Sequence, residues 1–148
     1  MYPEAVKLAI QDVVRAPLER VWALSTDIGR AKEWLPAEVV VEPLTDGPAR
    51  VGTRYRETRP VLGRRDVRIY EITVLDAPRR SEVYAAEGGF RFTLDYEAVD
   101  ASTTRLTMTG TVTGLGCLGV VAAPLVRQVM RKNMAVDLAG LKAWIERA

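Results

Sequence analysis

Apolar and polar residues alternate at every second position along most of this chain, and the period changes only near its two ends. From Ala5 to Val14, the residues Val6, Leu8 and Ile10 alternate with Lys7, Ala9 and Gln11, which predicts a half-buried strand. Pro17 suits the first turn of a helix, where a missing N–H costs nothing. That helix should run to about Thr26, with Val21, Trp22 and Leu24 on its buried side. A second short helix is expected from Asp27 to Leu35, ended by Pro36. From Val39 to Thr113 the chain reads as strands separated by turn chemistry: Asp46-Gly47-Pro48, Leu62-Gly63, Asp76-Ala77-Pro78, Glu87-Gly88-Gly89 and Asp100-Ala101-Ser102. Six strands after the helix pair is the count this spacing predicts.

The clearest hairpin joins Phe90–Val99 to Thr104–Val112. Phe90, Phe92, Leu94 and Tyr96 share one face of its first strand, and Leu106, Met108 and Val112 the matching face of its second. The opposite faces carry Arg91, Thr93, Asp95 and Glu97 against Arg105, Thr107, Thr109 and Thr111, a set suited to cross-strand pairing in water. A sheet with one dry face needs a cover. The segment from about Pro124 to Arg147 supplies it as a helix with Val126, Met130, Met134, Leu141, Trp144 and Ile145 on one broad face. The run from Leu115 to Val126, with its glycines and Pro124, reads as a loop leading into that helix.

With 148 residues the chain fits one domain, spanning 1–148. A net charge of +2 and the absence of a basic stripe interleaved with aromatics argue against nucleic acid as a partner. The arginines between Arg54 and Arg68 alternate with apolar or acidic residues and read as a solvated outer face. The chain has no His, which excludes a Ser-His-Asp triad, a His general base and a His-ligated zinc site. Its single cysteine, Cys117, cannot form an internal disulfide or a thiolate metal cluster, and its apolar neighbours suit a small buried hydrophobe. The expected compartment is therefore the reducing cytoplasm. Met1-Tyr2-Pro3-Glu4 does not open a secretory signal, and no stretch has the length of a membrane span. No metal and no cofactor is implied.

The segment Val14-Arg15-Ala16-Pro17-Leu18-Glu19-Arg20-Val21-Trp22, followed closely by Glu33-Trp34-Leu35-Pro36, resembles the opening of the START-like, Bet v 1-like helix-grip superfamily, in particular its polyketide cyclase/dehydrase and lipid-transport branch. The order of one strand, two short helices, six strands and a long helix extends that resemblance over nearly the whole chain. It implies an α+β fold in which a seven-stranded antiparallel sheet curves around the long C-terminal helix and leaves an apolar cavity between them. Trp34, Leu35 and the glycines at 114, 116 and 119 would then flank the cavity mouth.

Within such a cavity the expected lining comprises Trp34, Tyr55, Tyr70, Phe90, Phe92, Tyr96, Met108, Met130, Met134 and Asp137, together with Glu57, which shares the strand parity of Tyr55. Tyr offers a polar handle on an apolar wall, and Met adapts to irregular shapes. Asp137 interrupts the apolar arc of the helix, with Asn133 one turn before it. A carboxylate in that setting needs a partner, water or a proton. Three readings stay open for it: a structural bond to backbone or to an inward Arg or Tyr, a contact to a ligand head group, and a catalytic carboxylate. The function expected is binding or transport of a small hydrophobic ligand such as a lipid, an isoprenoid quinone or a polyketide-like aromatic. An alternative is an aromatase/cyclase, whose proton transfers would fall on Tyr55, Tyr70, Tyr96, Asp137 or an inward Arg. A further alternative is an adaptor acting through a protein partner. The residues identify no acid-base pair, and no catalytic residue is assigned.

Overall fold

The computed structural model describes residues 6–116 and 119–148. Ala5, the Met1–Glu4 segment and Cys117 lie outside the described residues. Strand β1 (Val6–Val14) is followed by helix α1 (Leu18–Ser25) and a 3-10 helix (Ile28–Glu33). Strands β2 (Val40–Pro43), β3 (Arg54–Val61), β4 (Arg64–Asp76), β5 (Arg80–Ala85), β6 (Phe90–Asp100) and β7 (Thr103–Val112) then lead to helix α2 (Gly119–Arg147). The strands form one antiparallel sheet in the order β1-β7-β6-β5-β4-β3-β2. This is the α+β helix-grip architecture that the alternating pattern and the final amphipathic segment predict.

Each strand keeps its alternation because β6 and β7 pair in matched register, with Phe90 opposite Val112, Leu94 opposite Met108 and Tyr96 opposite Leu106. On the outer face Glu97 accepts a 2.8 Å hydrogen bond from Arg105 directly across the ladder. The chain closes on itself where Val6 of β1 pairs with Val112 of β7. Irregularities between Ile72 and Val74 in β4 and between Ala98 and Asp100 in β6 add local bend to the sheet, as bulges do.

Helix α2 begins at Gly119, earlier than the sequence pattern suggests, and Pro124 lies inside it. A proline near a helix start disturbs only the carbonyl one turn before it, and this end is at the surface, with Val121 and Leu125 exposed. Further along, Met130, Met134, Leu138, Leu141, Trp144 and Ile145 bury against Val6, Leu8, Val14, Leu106, Met108 and Val112. The helix therefore packs on the β1–β7 side of the sheet. Two glycines permit close approach between α2 and its neighbours. A Cβ on Gly110 of β7 would stand 2.8 Å from Met130 Cε and 2.9 Å from Met134 Sδ. One on Gly140 of α2 would stand 2.5 Å from the Trp34 carbonyl oxygen.

Candidate functional site

Because α2 lies toward β1 and β7, the inner face of the remaining strands is left uncovered along part of its length. The result is a cavity of about 600 Å³ between α2, the 3-10 helix and strands β2–β7. That volume falls within the range of about 300–1,000 Å³ usual for small-molecule sites. Phe90, Phe92, Met108, Met130 and Met134 form much of its wall, with Trp34 and Leu35 at one side and Leu62, Leu115 and Leu125 near the opening. Tyr55 and Tyr70, opposite each other on β3 and β4, stack with ring centroids 5.6 Å apart and an interplanar angle of 23°. Burial raises the pKa of both phenols, so they stay protonated hydrogen-bond donors.

The polar part of the wall follows from the register of β3 against β4. Tyr55, Glu57 and Arg59 point inward at alternate positions, and Glu57 lies opposite Arg68 while Arg59 lies opposite Asp66. Arg59 donates from Nε and Nη2 to the two Glu57 oxygens, each at 3.1 Å. Its Nη2 and Nη1 also reach across the cavity to Asp137 Oδ2 at 3.0 Å and Oδ1 at 3.5 Å. The side chains of this cluster are only 12% (Arg59) and 16% (Glu57, Asp137) exposed. Burial pushes the Asp137 carboxyl up to about 6, although Arg59 pulls it down. Burial likewise opposes the charge on Arg59, but Glu57 and Asp137 outweigh it and raise its pKa. Nearer the opening, Arg68 donates to Asp66 at 2.8 Å and to the Glu87 carbonyl at 2.8 Å, with its guanidinium 3.9 Å from the Phe90 ring centroid.

Of the side chains expected in the cavity, Trp34, Tyr55, Glu57, Tyr70, Phe90, Phe92, Met108, Met130, Met134 and Asp137 line it. Tyr96 does not. It faces inward as its parity requires, but it sits beneath α1, where Trp22 meets it edge-on with centroids 5.0 Å apart. Its hydroxyl is taken up by Ser25 Oγ at 2.6 Å and Ser81 Oγ at 3.3 Å, so it tethers α1 to the sheet. The reading of Arg54–Arg68 as a solvated face also needs correction. Arg54, Arg64 and Arg65 are exposed, whereas Arg59 and Arg68 enter the cavity wall. The signal for Arg59 was its parity with Tyr55 and Glu57; Arg68 shares the parity of Tyr70 on β4. Among the described residues no group of three or more His, Cys, Asp or Glu side chains is placed to hold a metal ion. Among the described residues no helix is long and apolar enough to cross a membrane.

A curved antiparallel sheet around one long helix, with a partly enclosed apolar cavity between them, is the helix-grip fold. Residues 5–146 match the family described as polyketide cyclase/dehydrase and lipid transport, and the chain belongs to that family. Among curated proteins none matches it by sequence. Solved structures share the fold at low identity. A Thermus thermophilus protein aligns with TM-score 0.80 and 22% identity over 95% of this chain and 97% of its own. The Zhui aromatase/cyclase of a Streptomyces species aligns with TM-score 0.79 and 20% identity over 96% of this chain and 94% of its own. A START superfamily protein of Mycobacterium smegmatis aligns with TM-score 0.78 and 14% identity over 98% and 99%.

Proposed function

We propose that the protein binds a small or medium-sized apolar molecule, of the lipid, isoprenoid or polyketide-like aromatic kind, in the cavity between α2 and the sheet. The observation that carries this reading is the cavity of about 600 Å³ with a mainly apolar wall and one convergent polar cluster. Affinity would come mostly from apolar burial, at about 25 cal/mol per Å², with the cluster fixing orientation. An adaptor role is less well supported, because an adaptor gains nothing from an unfilled interior. The test is titration with an environment-sensitive apolar dye, followed by native mass spectrometry of protein purified from its own host. Saturable dye binding at one site per chain, and a co-purifying apolar mass, are the expected results. Dye that does not bind would overturn the reading.

One observation favours a second reading, that of a cofactor-independent cyclase or dehydratase. Asp137, titrating at about 6 on the same cavity wall as the protonated Tyr55, is suited to exchanging protons with an enolisable carbonyl near neutral pH. The fold likeness to an aromatase/cyclase is compatible with it. Under this reading Asp137→Asn preserves binding of a poly-ketone substrate and abolishes its turnover. Turnover that survives the substitution excludes Asp137 as the acid-base group.

A further inference from the structure

The cavity carries a charge balance opposite to that of the chain. The whole sequence is net +2, yet the buried cluster on the cavity wall sets two carboxylates, Glu57 and Asp137, against Arg59 alone, while Arg68 is balanced by Asp66. Both arginines are already engaged. Four of the five N–H groups of Arg59 go to Glu57 and Asp137, which leaves one donor. Arg68 is committed to Asp66 and to the Glu87 carbonyl, against the face of Phe90. The acceptors are not exhausted in the same way. Two carboxylates offer about eight lone-pair sites, and Arg59 occupies only part of them. Glu57, Asp137 and Arg59 together also keep one negative charge in excess. Burial is the main cause that raises the Asp137 pKa, and the neighbouring Glu57 charge adds to it in the same direction.

Resting on the cavity-binding reading above, we infer that the ligand presents a hydrogen-bond-donating, non-anionic head, an amine or a hydroxyl, to the Glu57–Arg59–Asp137 cluster. A donor head finds free acceptors, and a cationic one also offsets the excess charge. A carboxylate or phosphate head meets two carboxylates and a single spare N–H, and desolvating it there is uncompensated. The inference turns the candidate ligands away from fatty acids and quinones, which are anionic or purely accepting. It favours hydroxylated aromatics, quinols, alcohols and amines.

The test uses three probes with the same apolar body: decylamine, decanol and decanoate, each displacing a bound apolar dye at about pH 8, where the amine is cationic and the acid anionic. The amine and the alcohol should displace the dye at a concentration about tenfold or more below that of decanoate, as expected for gaining or losing a hydrogen bond to a charged group. Asp137→Asn and, separately, Glu57→Gln should each narrow that gap by improving decanoate binding, with folding verified by thermal melting. Decanoate binding as well as the amine and alcohol, or a gap unchanged in both variants, overturns the inference while leaving cavity binding intact. Absence of dye binding to the wild-type protein removes both.

Discussion

Replacing Asp137 with Asn removes a charge while leaving two hydrogen-bonding atoms at the same place. Because Glu57 still pairs with Arg59 through both oxygens, the guanidinium is not abandoned by that change. Asp137→Asn is therefore expected to match or exceed the wild-type melting temperature at neutral pH. The linkage has a definite sign. The folded-state pKa of Asp137 is about 6, above its ordinary value of 3.8, so its stabilising contribution is complete below about pH 4 and is lost as pH rises to 6. A shift of this size corresponds to at most about 3 kcal/mol, reduced by the residual exposure of the group. The groups facing Asp137 are Arg59, Glu57 and Tyr55 of β3, with Asn133 one turn before it on α2. Denaturant unfolding of wild type and Asp137→Asn across this range should show that the variant lacks the fall in stability between about pH 4 and 6. A variant that retains the full fall would assign it to other groups. Arg59→Met is the harsher change. It leaves Glu57 and Asp137 buried without their cation and is expected to cost about 3–5 kcal/mol, read as a lowered unfolding midpoint.

Where elements meet, two positions report on how α2 seats. Leu141 is fully buried against the sheet, and Leu141→Ala is expected to cost about 2–5 kcal/mol in denaturant unfolding. Gly140→Ala sets helix propensity, which favours Ala by about 1 kcal/mol, against a new Cβ placed 2.5 Å from a backbone oxygen of Trp34. A backbone oxygen cannot swing aside as a long side chain does, so the clash should win and the variant should melt lower. Both residues show what was legible in the sequence. Leu141 belongs to the apolar arc and is readable from periodicity, whereas Gly140 matters only through a neighbour more than a hundred residues away. The strands were legible for the same reason as Leu141. Their inward parity puts Tyr55, Glu57, Tyr70 and the phenylalanines on the cavity wall, and the same parity carried Arg59 and Arg68, which their abundance among surface arginines concealed. Tyr96 was misplaced because parity gives the face of a strand but not the position along it at which α1 closes the interior. The start of α2 at Gly119 escaped because an exposed proline near a helix end has the same signature as a loop.

At the level of the whole molecule, α2 covers the sheet unevenly. It presses on β1 and β7, while at mid-cavity its described hydrogen bonds to β3 run from Arg59 to Asp137. One antiparallel sheet thus contains a half held by a continuous apolar seam and a half facing a cavity. Backbone amides in the two halves should accordingly differ in how often they open to solvent deuterium, even though each half has a complete ladder. Amides of β1, β7 and the Met130–Ile145 part of α2 are expected to exchange only on global unfolding, and those of β3–β5 through smaller openings. A cavity occupant would bridge the gap and slow exchange in β3–β5, leaving β1 and β7 unchanged. Uniform protection across the sheet in the free protein would show that the ladder alone rigidifies it. Unequal protection that evens out when an occupant binds would make that occupant a structural component of the sheet half that the helix leaves uncovered.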